Sequence, residues 1–185
     1  MKRAAMLLAA IIAATVACAP QWTVFVAPDS SFSVEMPGNV RECTELMSLP
    51  SGHTTVQRVS SFAGPRGGPF SGPSLWQIRF FSMPAAPAGS ATWDGAVAAL
   101  RDEMAREWSG QVVEERPVEW SGHRGVEIRL EATRKGHKET SLARVILVGD
   151  RVICLHVHFR DDGQHEAMMA RFFASLKLGA NVTPP

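Results

Sequence analysis

Residues with metal-binding or nucleophilic side chains alternate with apolar residues in one short segment of the chain. Cys154, His156 and His158 are each two positions apart. Because side chains i and i+2 of a β-strand project from the same face, these three would form one row on a strand. Two imidazoles in such a row can bind a transition metal, and His165 or Glu166, a few residues later, could add a third ligand. The alternative interpretation is the polar outer face of a half-buried strand.

The first twenty residues have the plan of a bacterial export signal. Lys2 and Arg3 precede an uncharged apolar run over residues 4–17, which ends in Thr-Val-Ala before Cys18. The run is shorter than the roughly twenty residues that a membrane-spanning helix needs. We therefore expect residues 1–17 to be a signal peptide and Cys18 to be the lipid-modified N-terminus of the mature protein. Cleavage by an ordinary signal peptidase, giving a soluble periplasmic protein, is the alternative.

The export signal and the lipid-modified Cys18 favour a location in the bacterial cell envelope, with the protein lipid-anchored on the periplasmic side. Ala19 follows Cys18, where an Asp would favour the inner membrane, so the outer membrane is slightly favoured. Removing Lys2 and Arg3 with the signal changes 19 basic residues to 17 against 18 acidic ones, a net charge of −1. This balance argues against a nucleic-acid partner.

The two cysteines that remain beside Cys18 are Cys43 and Cys154. In an oxidising compartment an even pair can form a disulfide. That bond would close a loop of about 110 residues and stabilise the fold by roughly 4–5 kcal/mol in the chain-entropy model. Two separate thiols in the folded protein are the alternative.

Motifs that would indicate catalysis are incomplete in this sequence. His165-Glu166 begins an H-E-x-x-H pattern, but Met169 stands where the second zinc ligand belongs. The Gly-rich segment 64–72 lacks the Lys-Ser/Thr ending of a phosphate-binding loop, and no G-x-S-x-G is present. We therefore expect no catalytic residues and no cofactor other than a possible transition metal.

Two amphipathic helices and nine strands are predicted from local patterns. A helix over 92–108 carries an apolar stripe at spacings of three and four, and a second helix over 164–176 carries a core face of Met168, Met169, Phe172, Phe173 and Leu176. Strands are predicted at 22–26, 32–36, 40–47, 53–62, 75–81, 112–119, 126–132, 140–148 and 152–159. Because of Pro117, we expect the sixth of these to be irregular or to lie at an edge. We expect the last three to form an antiparallel meander.

These elements predict an α+β fold whose largely antiparallel sheet has the helices covering one face. After the signal is removed 168 of 185 residues remain, enough for a single domain with its own core. We assign that domain to residues 18–178 and expect a disordered tail at 179–185.

Both ends of this domain resemble a known family. Trp22, followed by Phe32-Ser33-Val34 and then Pro37-Gly38, is similar to the start of PsbP-like domains, and Arg171-Phe172 with Ser175-Leu176 resembles their closing helix. The resemblance spans residues 21–178. It implies the PsbP-like fold of the photosystem II extrinsic subunit and its relatives, many of which are bacterial lipoproteins. It also implies non-enzymatic binding, but it carries over no functional residue.

We therefore expect a non-enzymatic, lipid-anchored envelope protein that serves as a binding or assembly-accessory module for an envelope protein partner. The alternative from another class is a periplasmic metal-binding protein that uses the His156-x-His158 strand motif. An enzyme whose active site is assembled from several strands is the third hypothesis.

Overall fold

The computed structural model describes residues 21–49, 52–63, 74–83, 93–160 and 165–179. The predicted signal peptide, Cys18 and the Gly-rich segment lie outside these residues, as does the predicted tail beyond residue 179. The strands are β1 (Trp22–Val26), β2 (Phe32–Pro37), β3 (Val40–Leu49), β4 (Gly52–Ala63), β5 (Ser74–Ser82), β6 (Gln111–Trp120), β7 (His123–Arg134), β8 (His137–Val148), β9 (Arg151–Arg160) and β10 (Lys177–Leu178), and the helices are α1 (Trp93–Trp108) and α2 (Glu166–Ala174).

Seven strands form one antiparallel sheet in the order β3-β4-β5-β9-β8-β7-β6. A smaller sheet has the order β1-β2-β10. The α+β class and the β7-β8-β9 meander are confirmed. Within the described ranges, neither helix is long and apolar enough to cross a membrane.

The helix α1 covers one face of the large sheet with the apolar stripe that its sequence predicts. Ala96, Val97, Leu100 and Met104 are buried against side chains of β7, β8 and β9. Because these positions recur every three or four residues, they fall on one side of a 3.6-residue helix. Local spacing is therefore sufficient to define which side of α1 faces the sheet.

The opposite face of the large sheet is covered by α2 and the small sheet. Phe172 of α2 packs edge-on against the fully buried Trp76 of β5, with ring centroids 5.3 Å apart. The ring of Trp22 in β1 approaches the same Trp76 at 6.2 Å. The two helices thus lie on opposite faces, and the expectation that both cover one face is wrong.

The chain after α2 forms a strand that the sequence pattern did not indicate. The two residues of β10 pair with β2, and the N–H of Gly179 donates to the carbonyl oxygen of Ser31 at 2.7 Å. Gly179 therefore belongs to the fold, and the predicted boundary of the tail is wrong by at least one residue. A two-residue strand is too short for a period-2 pattern to be read.

The proposed Cys43–Cys154 disulfide is not formed, and both cysteines are free thiols. Strand register gives the physical reason. Cys43 is opposite Arg58, Arg58 is opposite Arg79, and Arg79 is opposite Cys154. Three strand spacings separate the cysteines by about 14 Å, whereas a disulfide needs Cα atoms within about 7 Å.

The strand β6 is the edge of the large sheet, as Pro117 predicts. It pairs only with β7 and has a register shift between Val112 and Glu114. Nearly all of its residues are exposed. This edge borders the groove described below.

Gly125 of β7 tests how tightly the sheet is packed beside β8. A Cβ at this position would lie 2.7 Å from the carbonyl oxygen of Val145. We expect Gly125→Ala to lower the free energy of unfolding by about 1–3 kcal/mol, because backbone atoms must shift to admit the methyl group. Gly110→Ala is the matched control, since its nearest contact would be 3.4 Å away. Urea denaturation that shows equal stability for the two variants would contradict this packing.

Candidate functional site

Cys154, His156 and His158 project from the same face of β9, as their alternation with apolar residues predicts. That face is not the outer face of the sheet. All three side chains point toward α1 and are buried. Burial raises the pKa of the Cys154 thiol to about 12, so the sulfur stays protonated. The alternative interpretation, a polar outer face of a half-buried strand, therefore does not describe this environment.

His165 does not join the other two histidines. Its ring contacts Phe159 at a centroid distance of 5.2 Å, and Phe159 projects from the opposite face of β9 to His158. Across the described ranges, no three His, Cys, Asp or Glu side chains are grouped so as to hold a metal ion. The structure therefore does not bring His156, His158 and His165 together, because the sheet lies between His165 and the other two.

The central feature beneath α1 is Arg79, which the sequence analysis did not single out. Its side chain is only 1% exposed, in the middle of the apolar strand β5. One guanidinium nitrogen donates to the Glu107 carboxylate and, at 3.3 Å, to Gln77 Oε1. The other terminal nitrogen is 3.5 Å from Glu103. Gln77 Oε1 is also 3.2 Å from His156 Nδ1. We call these five residues the arginine cluster.

A signal for this cluster was present in the sequence. Arg79 is the only charged residue in its strand, and Glu103 and Glu107 are one helical turn apart. Residues spaced i, i+4 lie on one side of a helix. What the sequence lacked was the pairing of that side of α1 with β5, which depends on contacts 24 and more residues apart.

Burial sets the electrostatics of the arginine cluster. It raises the pKa of Glu103, while the nearby Arg79 opposes that rise. A second arginine, Arg58 of β4, bridges Glu107 at 3.4 Å and Glu45 of β3 at 3.1 Å. Through Arg58 and Glu45 the cluster connects α1 to β3 and β4, in addition to β5 and β9.

A second polar group lies beside the arginine cluster and has the residue types of a catalytic triad, but only its serine and histidine are hydrogen-bonded. Ser141 Oγ is 2.8 Å from His158 Nδ1, and His158 Nε2 is 3.4 Å from Glu139 Oε2. The Trp108 ring stacks on His158, with centroids 3.8 Å apart and planes 21° apart. Ser141 is 2% exposed. A substrate carbonyl could reach Ser141 only by displacing the last turn of α1. We therefore interpret this polar group as a structural link between β8, β9 and α1.

The accessible feature of this face is an open groove of about 360 Å³ between α1 and the strands β6 and β7. Its rim carries an ion pair between Arg101 and Glu115 at 3.4 Å, and Arg124 approaches Asp94 at 3.4 Å. We call it the α1–β6 groove; it is lined by Trp93, Asp94, Val97, Ala98, Arg101, Glu115, Arg116, Pro117, Gly125 and Val126.

Comparison with known proteins identifies the fold. No protein-family model and no curated protein sequence matches the chain. The solution structure of cyanobacterial PsbP (CyanoP) from Synechocystis sp. PCC 6803 is similar, with a TM-score of 0.56 and 6% identity over 86% of this chain and 93% of that one. The fold is therefore PsbP-like, which confirms the resemblance of the two ends at the level of architecture.

Two further solved structures are more distant. One is a Bacteroides thetaiotaomicron VPI-5482 protein, with a TM-score of 0.45 and 15% identity over 87% of this chain. The present chain spans 50% of that protein. The other is PA94, a protein of unknown function from Pseudomonas aeruginosa, with a TM-score of 0.42 and 15% identity over 80% of this chain and 91% of that one.

The arginine cluster predicts a large effect from removing its negative charges. We expect the double substitution Glu103→Gln with Glu107→Gln to lower the free energy of unfolding by about 3 kcal/mol, because it leaves a buried guanidinium without a counter-charge. Adding Arg79→Met should restore most of that loss. Glu45→Gln, which removes a partly exposed partner of Arg58, should cost less than about 1 kcal/mol. Urea denaturation measures all four proteins, and equal losses for the double variant and the control would contradict the cluster's role.

The buried histidines predict acid sensitivity. Burial, followed by the nearby positive charge of Arg79, holds the pKa of His156 well below its ordinary value of 6.5. Above about pH 6.5 the folded and unfolded chains are both neutral at this residue. Below it the unfolded chain binds a proton that the folded chain does not, so stability falls by up to about 1.4 kcal/mol per pH unit.

Urea titrations between about pH 6.5 and 5.5, at and below the ordinary pKa of histidine, test this dependence. We expect His156→Gln to reduce the slope of stability against pH. The exposed His137 supplies the control, and His137→Gln should leave the slope as it is. An unchanged slope in His156→Gln would show that the proton is taken up elsewhere.

Proposed function

We propose that this protein is a lipid-anchored component of the bacterial cell envelope that binds a protein partner without catalysing a reaction. The observation that carries the proposal is the α1–β6 groove, an open channel beside an exposed sheet edge. The export signal and Cys18 supply the membrane anchor in this proposal. The near-neutral charge of the chain agrees with a protein partner rather than a nucleic acid.

The chemistry of the groove suits a polypeptide segment. Trp93, Ala98 and Pro117 offer apolar surface, and the rim carries both signs of charge. The rim ion pairs involve exposed side chains, so little free energy is lost when a partner rearranges them. An apolar side chain flanked by charged groups would complement this arrangement.

The edge strand β6 adds a second mode of contact along the same groove. One side of its backbone pairs with β7, and its other side is not paired with a strand of the described sheet. Glu115, Arg116 and Pro117 of this strand line the groove, while Val112 and Val113, which are 40% and 52% exposed, lie beyond its lining. An extended segment of a partner can therefore add to the sheet at β6 while its side chains enter the groove.

Another depression on the surface is less suited to this role. It has a volume of about 430 Å³ near the ends of β6 and β7, but it is lined mainly by polar and charged side chains such as Gln111, Glu131 and Lys138. The cores of protein interfaces are depleted in charged residues. The α1–β6 groove is therefore our candidate for the binding surface.

Site-specific photo-crosslinking tests the binding surface in living cells. A photoreactive residue in place of Ala98, inside the groove, should give one discrete adduct with an envelope protein. The same residue in place of Thr44, on the opposite edge strand β3, should not give that adduct. Mass spectrometry of the adduct identifies the partner. Equal adducts at both positions would place the contact elsewhere, and the absence of any adduct at the groove would overturn the proposal.

The membrane anchor has a separate test. In Cys18→Ser we expect the protein to leave the membrane fraction, because stable attachment requires the lipid chains. Mass spectrometry of the protein without this substitution should show an acylated Cys18 at the mature N-terminus. An unlipidated chain that is cleaved before or after this residue would contradict lipid anchoring and leave the groove prediction unaffected.

A further inference from the structure

A small cavity lies on the other face of the sheet from the α1–β6 groove. Its volume is about 130 Å³, and it lies where α2 begins over β7, β8 and β9. Strand register places Arg129 beside Leu142, and Thr140 beside Phe159, on the same face. The cavity is thus built from cross-strand neighbours and bordered by the first turn of α2.

Two polar groups in this cavity are buried without hydrogen-bond partners. Thr140 is 2% exposed, and its Oγ contacts no partner. Arg129 Nε is likewise buried and unpaired, although the guanidinium reaches Glu131 at 3.2 Å through a terminal nitrogen. A buried donor that lacks a partner is unfavourable. Both groups line the same small space, where a ligand with a hydrogen-bond acceptor could pair with both of them.

The charge of the surroundings favours an anionic acceptor at this end of the cavity. Arg129 contributes a guanidinium, and the N-terminus of the nine-residue helix α2 contributes the positive end of its dipole. Leu142, Phe159 and Met169 provide an apolar wall. A cavity of about 150 Å³ holds a molecule of the size of benzene, so this cavity suits a ligand of about five to eight non-hydrogen atoms.

We propose that this cavity binds a small organic carboxylate with a short apolar body. One carboxylate oxygen accepts from Arg129 Nε–H and from the Thr140 hydroxyl, and the apolar body packs against Phe159 and Met169. The site is separate from the proposed partner groove and goes beyond that function, since it lies across the sheet.

Glu166 determines which of two kinds of carboxylate the site binds, an α-amino acid or a plain carboxylic acid. Its side chain also lines the cavity, and a carboxylate there attracts an ammonium group. An α-amino acid would use both Arg129 and Glu166, whereas a plain carboxylic acid would use Arg129 alone. Valine and 3-methylbutanoate share the same body and differ in the ammonium group, so they separate the two sources.

Ligand-observed NMR of the full chain with each compound tests the site. We expect 3-methylbutanoate or valine to bind, and the uncharged 3-methylbutanamide to bind at least about tenfold more weakly, because it lacks the charge that pairs with Arg129. Glu166→Gln should weaken valine binding if the amino acid is the ligand. It should leave or tighten 3-methylbutanoate binding if the plain acid is the ligand.

Substitutions of the residues that line the cavity test whether it is a specific ligand-binding site or a space filled by water. Arg129→Gln and Thr140→Val should each weaken carboxylate binding by about tenfold or more. Glu131→Gln is the matched control, since it removes the outer partner of Arg129 and leaves the cavity lining intact. Absence of binding at about 10 mM, equal affinity for the amide, or undiminished binding in Thr140→Val would overturn the proposal.

Discussion

The burial of Arg79 beneath α1 is the constraint on which this structure depends. A guanidinium cannot be deprotonated at physiological pH, so a buried arginine requires negative partners. Those partners are Glu103 and Glu107, both on the helix and one turn apart. The position of α1 along the sheet is therefore fixed by charge as well as by its apolar stripe. That position brings Trp108 onto His158 and leaves the first half of the helix beside β6 and β7, where the groove forms.

The same strand organises the other side of the sheet. Arg79 projects toward α1, while Trp76, Ile78 and Phe80 of β5 project into the core beneath α2 and the small sheet. Trp76 contacts side chains of both β1 and α2. Because both faces of β5 are covered, its sequence is an almost continuous apolar run rather than an alternating one. A single buried strand thus connects all the layers of the PsbP-like fold.

Local sequence patterns predicted what local chemistry determines. The stripe of α1, the meander of β7 to β9 and the edge position of β6 each follow from spacing or from Pro117. The alternation around His156 was also predicted correctly, but the layer that covers it was not, because that depends on where a distant helix packs. Counting cysteines suggested a disulfide between Cys43 and Cys154 that strand register forbids. Whether two side chains meet is decided by tertiary pairing, which spacing in one sequence does not contain.

A buried ion-pair cluster is an energetically costly way to attach a helix, because its charged groups lose their hydration. An apolar contact alone would hold α1 nearly as well after a shift by one turn, because Leu100 and Met104 repeat at that interval. A shift of one turn would move both glutamates away from Arg79 and leave its charge unpaired in the interior. The cluster therefore contributes register more than stability. The far end of the same helix forms one wall of the α1–β6 groove. A fixed register therefore keeps the width and charge pattern of that groove constant, which the proposed recognition of one partner requires.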